Sequence, residues 1–183
     1  MHPAAYEARR IDALHGLGLL DTPRDSVFDL IVETAAEVFD TPIAAVSLVD
    51  VNRQWFKAIH GLDVCETGRD VAFCSHTIQT PDVMVVEDAR KDKRFKDNPL
   101  VTGDPYVRFY AGTVLCNIDG YAIGSLCVMD RALRRFPDEE RKELSALGRI
   151  ATKAIQLHER GASYKHIQAE LDGFLLEGDS VRG

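Results

Sequence analysis

No apolar run in the sequence approaches the ~20 residues that a membrane-spanning helix requires. The N-terminus, MHPAAYEARR, also lacks the apolar segment of a secretory signal. A cytoplasmic protein is therefore expected. Positive charge is in deficit: the formal net charge is −7, which provides no general attraction to nucleic acid or to an anionic membrane. The one basic run, RKDKRFKD at 90–97, is interleaved with aspartates and reads as a solvated loop. The four cysteines, at 65, 74, 116 and 127, include no CxxC pair. That spacing argues against a disulfide framework or a structural zinc site. Internal repeats and low-complexity segments are absent as well.

What remains is the profile of a soluble globular domain, with 183 residues, 45% hydrophobic and 28% charged. EARRIDALHGLGLL places Ile11, Leu14 and Leu17 at helical spacing, and the glycines at 16 and 18 end that helix. TPRD then supplies Thr22 as N-cap, Pro23 at the first helical position and Asp25 to complete a capping box. The helix so started carries Phe28, Ile31, Ala35 and Val38 on one face. IAAVSLVD (43–50) and QWFKAIHG (54–61) form a hairpin, and 62–69 a polar loop. After a strand at 83–89, the irregular stretch 90–105 is long enough to cover a site. A closing helix runs from Pro137 through Leu144, Leu147, Ala151, Ala154 and Ile155 until Gly161. The division expected is a domain over 1–160 and a tail over 161–183 able to form one short amphipathic helix through Ile167, Leu171 and Leu175. Helices at both ends of antiparallel strands make the class α+β with a central antiparallel sheet.

The clearest local feature is a second hairpin around Asp119-Gly120, a preferred two-residue turn. That turn sets Cys116 opposite Ile123 and Gly112 opposite Cys127. One face then carries Phe109, Ala111, Thr113, Leu115, Gly124, Leu126 and Val128, suited to lie under helices. The other carries Arg108, Tyr110, Gly112, Val114, Cys116, Ser125, Cys127 and Met129, a mixed face with a gap at Gly112. Apolar walls with a few placed polar groups are what a small-molecule pocket needs, although a half-solvated face has the same composition. Cys116 and Cys127 lie roughly 13 Å apart along the ladder and cannot be bridged.

DVAFCSHTI (70–78) places Cys74 and His76 two positions apart. With Thr67-Gly68-Arg69-Asp70 before it and Pro81 after it, 70–79 is expected to form a short helix. Residues two apart on a helix diverge, so these two do not form a nucleophile–base pair with each other. Cys74 is left as a small buried residue, a pocket wall or a reactive thiol. His76 either lines a pocket or bonds to a strand. A metal site lacks two further ligands at a recognisable spacing.

RQWFKAIHGLDV, RDVAFCSHTI, VVEDARKDKRFKDNPLVTG, VRFYAG and IGSLCVMD, in that order, resemble bacterial GAF domains of the kind found in sensor histidine kinases and diguanylate cyclases. The resemblance covers roughly residues 7–160. It implies a PAS-like fold in which the sheet has a bundle of the terminal helices on one face and a loop- and helix-covered ligand pocket on the other. It further implies signal relay and a homodimer through those helices. The signature of the cyclic-nucleotide-binding members is absent, and Ser75 interrupts the cysteine–histidine pair by which phytochrome-type members attach a bilin.

The function expected is a small-molecule-sensing or signal-relay module in cytoplasmic signal transduction, with a histidine kinase or diguanylate cyclase as output. Its pocket would draw Arg108, Tyr110, Ser125 and Cys127 from the mixed face, Phe73 and His76 as a cap, and Phe95 and Asn98 from the long loop. The ligand is an unidentified small molecule, and no cofactor, metal or catalytic residue is assigned. Two alternatives stay open. One is a thiol redox enzyme of the free methionine sulfoxide reductase type, using two of Cys65, Cys74 and Cys127, with Cys65 and Cys74 the favoured pair; the other is a ligand-free dimerisation domain using Leu144, Leu147, Ala151 and Ala154.

Overall fold

The computed structural model describes residues 3–181. Six antiparallel strands form one sheet in the order β3-β2-β1-β6-β5-β4, and helices complete an α+β fold. Helix α1 (Pro3–Gly16) opens the chain and α2 (Ser26–Val38) follows. Asp25, not Thr22, caps α2, its carboxylate accepting from the Val27 amide at 3.1 Å. Lys57 explains the displaced start. Its ammonium donates to the Pro23 carbonyl at 2.8 Å and to the Thr22 hydroxyl at 2.9 Å, so both groups are used by β2 and the chain at 22–25 stays outside the helix.

Strands β1 (Ile43–Val49) and β2 (Arg53–His60) form the expected hairpin. The register shift between Val46 and Ser47, which face Ala58 and Phe56, leaves Lys57 as a bulge. A short edge strand, β3 (Glu66–Gly68), lies within the stretch read as a polar loop. Its three residues have no apolar alternation, and backbone pairing with Arg53–Trp55 holds them. Next come a 3-10 turn at Arg69–Val71 and the one-turn helix α3 (Cys74–Thr77), in place of a continuous helix over 70–79. Extended backbone at Ala72 (φ −77, ψ 120) separates the two.

Strand β4 (Met84–Val86), the one-turn helix α4 (Pro99–Thr102), β5 (Phe109–Cys116) and β6 (Ala122–Asp130) complete the sheet region. Gly112 faces Cys127 as the turn arithmetic requires, but the register slips after Leu115 and sets Cys116 opposite Ala122, not Ile123. The loop is responsible. Asn117 bonds to Tyr121 through both backbone and side chain, at 3.1 and 2.9 Å, which closes a wider turn than two residues and leaves one residue for a bulge.

Helices α5 (Asp138–Glu159) and α6 (Lys165–Val181) end the described chain. α2 and α5 cover one sheet face, where Phe109, Ala111, Leu115, Leu126 and Val128 meet Phe28, Ile31, Leu144 and Leu147. α6 buries Ile167 and Leu171 in the same core. The fit is close. A Cβ on Gly148 of α5 would stand 2.3 Å from the Thr113 methyl of β5, so glycine lets this helix settle on the strand. Leu144, Leu147, Ala151 and Ala154 are all fully buried within one chain, which removes them as a surface for a second copy. On the opposite face a smaller core gathers Ala45, Phe56, Tyr110, Cys127 and Met129 beneath Phe73, Phe95, Val101 and Val107 from the inter-strand segments.

Candidate functional site

The loop-side face is organised by Tyr110. Residues two apart on a strand share a face, and the neighbour here is Gly112. Tyr110 therefore folds its ring along the sheet, over the glycine, where a Cβ would come within 2.3 Å of the phenol oxygen. The gap read as room for a ligand is filled by this ring. Its hydroxyl reaches Thr77 Oγ1 at 2.6 Å and Cys74 Sγ at 3.4 Å, which seats α3 on the strand. Burial, followed by the two neighbouring sulfurs, pushes the phenol pKa well up.

Phe73 stacks on Tyr110, with ring centroids 5.1 Å apart, and on Phe95, 4.0 Å away. His76 stands edge-on to Phe95 at 4.9 Å with its other side exposed. Partial burial, then the Arg94 guanidinium, holds the imidazole below its ordinary pKa. Cys74 turns inward while His76 turns to solvent, so the two side chains diverge.

Asn98 and Arg108 act on the loop itself. Asn98 caps α4 by accepting from the Leu100 amide at 2.9 Å, and its Nδ2 donates to the Val71 carbonyl at 2.9 Å. Arg108 donates to the Val101 carbonyl at 2.7 Å. The basic run is paired locally, Arg90 with Asp88 and Arg94 with Asp92. Most of this long loop is thus ordered by its own polar side chains.

Beside the stack lies a mostly apolar cavity of about 130 Å³. Its walls include Phe56, Phe73, Cys74, Leu100, Tyr110 and Met129. That volume is close to that of a cavity able to hold benzene, roughly 150 Å³. One polar group in the wall has unused bonding capacity. Gln54 is only 5% exposed, its Nε2 meets Thr67 Oγ1 at 3.3 Å, and its Oε1 has no partner. Because a hydroxyl both donates and accepts, Thr67 can hold either end of the amide. Gln54 is therefore able to offer a ligand an acceptor or a donor.

Of the residues read from the sequence as a pocket, Phe73 and Tyr110 line this cavity directly. Phe95 lies behind Phe73, and His76 is at the outer edge of the stack. Asn98 and Arg108 hold the covering segments, as above. Ser125 and Cys127 lie on the sheet below Cys74. Ser125 Oγ is 3.2 Å from Ser47 Oγ, and Cys127 Sγ is 3.8 Å from Cys74 Sγ. Gln54, Phe56 and Leu100 were not anticipated; Met129 was placed on the mixed face but not named among the pocket residues. Strand alternation puts Gln54 and Phe56 on one face together, but their alignment with the mixed face depends on β1 lying between β2 and β6. Among the described residues, no group of three or more His, Cys, Asp or Glu side chains is placed to hold a metal ion.

The family model for the GAF domain matches residues 23–155. The chain belongs to the GAF domain family. A cyclic di-GMP phosphodiesterase of Pseudomonas aeruginosa is 48% identical over 118 residues, covering 64% of this chain and 20% of that relative. The match thus spans a small part of the curated relative's length. A GAF domain from an Acinetobacter phosphoenolpyruvate-protein phosphotransferase superposes with a TM-score of 0.60 at 17% identity, covering 84% of this chain and 97% of the other. A free methionine-R-sulfoxide reductase from Neisseria meningitidis, in complex with its substrate, gives 0.61 at 18% identity, covering 87% and 93%. At such identities these two structures are similar in fold alone.

In this GAF domain a polar junction joins the covered face to the N-terminal helix. Arg69, in the turn before α3, pairs with Glu7 of α1 at 2.7 Å and donates to the Asp50 carbonyl at 3.0 Å. Glu7 also pairs with Arg10 at 2.8 Å, and Arg10 in turn donates to the Ala122 carbonyl of β6 at 3.3 Å. The side-chain bond from Arg10 is the main cause holding the Glu7 carboxyl down at about 2, against opposition from burial.

The thiol arrangement differs from the sequence expectation. Cys65 is exposed, and the sulfur that approaches Cys74 belongs to Cys127. The turn arithmetic separated Cys116 from Cys127 but was silent on Cys74, which lies 53 residues from Cys127 in sequence.

Proposed function

We propose that this GAF domain senses a small molecule in the loop-side cavity and relays its occupancy through the terminal helices. The observation that carries this reading is the buried, half-bonded amide of Gln54 in the wall of an apolar cavity. An unmade hydrogen bond in a buried amide costs about 1–3 kcal/mol. A benzene-sized ligand with one polar group would recover that bond while filling the space. Such a ligand would touch Phe73, Cys74 and Leu100, all on segments that cover the sheet. The turn preceding α3 is tied to α1 by Arg69 and Glu7, which gives a displaced cover a physical path to a terminal helix.

The output is proposed as a second copy of the chain together with a signalling enzyme. The expectations of a histidine kinase or a diguanylate cyclase now stand beside cyclic di-GMP breakdown, because the 48%-identical relative is named for that activity. A homodimer would use outward faces of the terminal helices, since the inward residues are occupied.

The test is a thermal-denaturation screen with benzene-sized aromatics that carry a single hydroxyl or amide, followed by native mass spectrometry. A true ligand at a hundredfold excess over Kd should raise Tm by roughly 5–10 °C. Gln54→Leu should keep the fold and lose the preference for the polar members. A bare mass for protein taken from its native host, with no stabiliser in the panel, would count against sensing at this cavity.

A further inference from the structure

The sensing role leaves unexplained why two thiols meet beneath the cavity. Cys74 opens α3 and is 2% exposed, while Cys127 lies at the centre of β6 and is fully buried. Their sulfurs are 3.8 Å apart. Cys74 has hydroxyls about it: Tyr110 donates to its sulfur at 3.4 Å, and Ser47 and Ser125, bonded to each other at 3.2 Å, lie on the strands beneath it. Cys127 Sγ has the Ala45 carbonyl on its other side at 3.7 Å. One sulfur thus sits among donors able to stabilise a thiolate, and its partner is suited to keep its proton. Burial opposes ionisation of Cys74, but the polar groups of Cys127, Ser125, Ser47 and Tyr110 around it hold its pKa below the ordinary thiol value, while Cys127 is pushed well up.

Access is equally asymmetric. Cys74 forms part of the wall of the 130 Å³ cavity, whereas Cys127 lies behind it and is not in the wall. A space of that size admits a hydroperoxide but excludes a peptide-sized disulfide, which fixes the class of oxidant.

We propose that Cys74 and Cys127 form a dithiol oxidised by small hydroperoxides, with Cys74 as the attacked and Cys127 as the resolving sulfur. In the first step the Cys74 thiolate attacks one peroxide oxygen and the O–O bond breaks. Cys74 becomes a sulfenic acid, and the remaining oxygen takes up the proton that Cys74 released on ionising and leaves as an alcohol, or as water when the oxidant is hydrogen peroxide. In the second step the Cys127 sulfur attacks the sulfenic sulfur, the S–O bond breaks, and water leaves with the Cys127 proton. The two thiols together lose two electrons and two protons, and the peroxide bond receives them. Cys127 is fixed within a central strand, so α3 makes the approach. The oxidised state draws α3 down onto the sheet and moves one wall of the cavity. The proposal does not depend on the cavity's ligand and extends beyond the sensing role.

The experiment uses the full chain carrying Cys65→Ser and Cys116→Ser, which removes the exposed and the half-buried thiol. Hydrogen peroxide should lower the intact mass by two hydrogens, and peptide mapping should join Cys74 to Cys127. Pre-positioned sulfurs should make this on the order of tenfold or more faster in the folded protein than in urea. Oxidised glutathione at equal concentration should leave the folded protein unchanged. With Cys127→Ala added, dimedone should capture a sulfenic acid at Cys74; the cross-link in the parent decides the matter even if that variant folds poorly. Thiols that stay free in the folded protein would overturn the proposal. A bridge formed no faster than in urea, or one made equally well by oxidised glutathione, would do the same.

Discussion

The two faces of the sheet are built from different materials. Beneath α2 and α5 the face is almost wholly aliphatic and aromatic, and Gly148 lets the helix meet Thr113 closely. Beneath the loops the face holds a bonded pair of serine hydroxyls and two neighbouring thiols, one of them bonded to a phenol, with a cavity alongside. A packed apolar face supplies stability in proportion to buried area. A polar network in a low-dielectric setting supplies specific positions and is costly when one partner is lost. The first face holds the fold, and the second holds chemistry that a ligand or oxidant can reach.

The sharpest way to break this contrast is to truncate one residue on each face. Leu147→Ala, on the helix side, should cost about 3–5 kcal/mol, because a fully buried leucine leaves a cavity among rigid neighbours. Leu100→Ala, beside a cavity already present and only half-buried, should cost roughly 1–2 kcal/mol. Urea denaturation measures both, and equal losses would erase the distinction. Gly112→Ala should come next, at about 1–3 kcal/mol, because its methyl would displace the Tyr110 hydroxyl from Thr77 and Cys74. A new environment for the Tyr110 ring in NMR spectra would accompany it.

Tyr110→Phe should cost less, about 1–2 kcal/mol, by leaving the Thr77 hydroxyl without its partner. Phenylalanine keeps the ring over Gly112, so urea denaturation of this variant reads the bond and not the packing. The smallest effect is electrostatic and lies at the junction between the faces. The folded-state pKa of Glu7 is depressed, from an ordinary 4.5 to about 2. Its contribution is therefore present above pH 4.5 and is lost as pH falls toward 2. Glu7 is partly exposed, so solvent screening limits this to about 1 kcal/mol or less. Glu7→Gln should flatten the acid limb of the stability–pH curve by that amount.

Much of the helix-side face was legible in the sequence, because apolar periodicity in α2, α5, β5 and β6 is a local signal that packing then obeys. Phe28, Ile31 and Leu147 are buried as their spacing requires. The loop-side face was legible only in part. Tyr110 and Cys127 were assigned to it by counting back from one turn. Gln54 and Phe56 were missed because their alignment with the mixed face depends on which strand of the first hairpin pairs with the second, and it is β1, not β2, that pairs with β6. Nothing local announces β3, whose pairing is carried by backbone alone. The meeting of Cys74 with Cys127 spans 53 residues and rests on the bend at Ala72, which no spacing rule contains.

Hydrogen–deuterium exchange, followed with and without a stabiliser found in the thermal screen, tests the central claim most directly. A ligand in the loop-side cavity should slow exchange in 69–78 and 98–107 and, through Arg69 and Glu7, in α1, while α5 stays unchanged. Protection confined to the helix-side core, or spread evenly over both faces, would contradict the account.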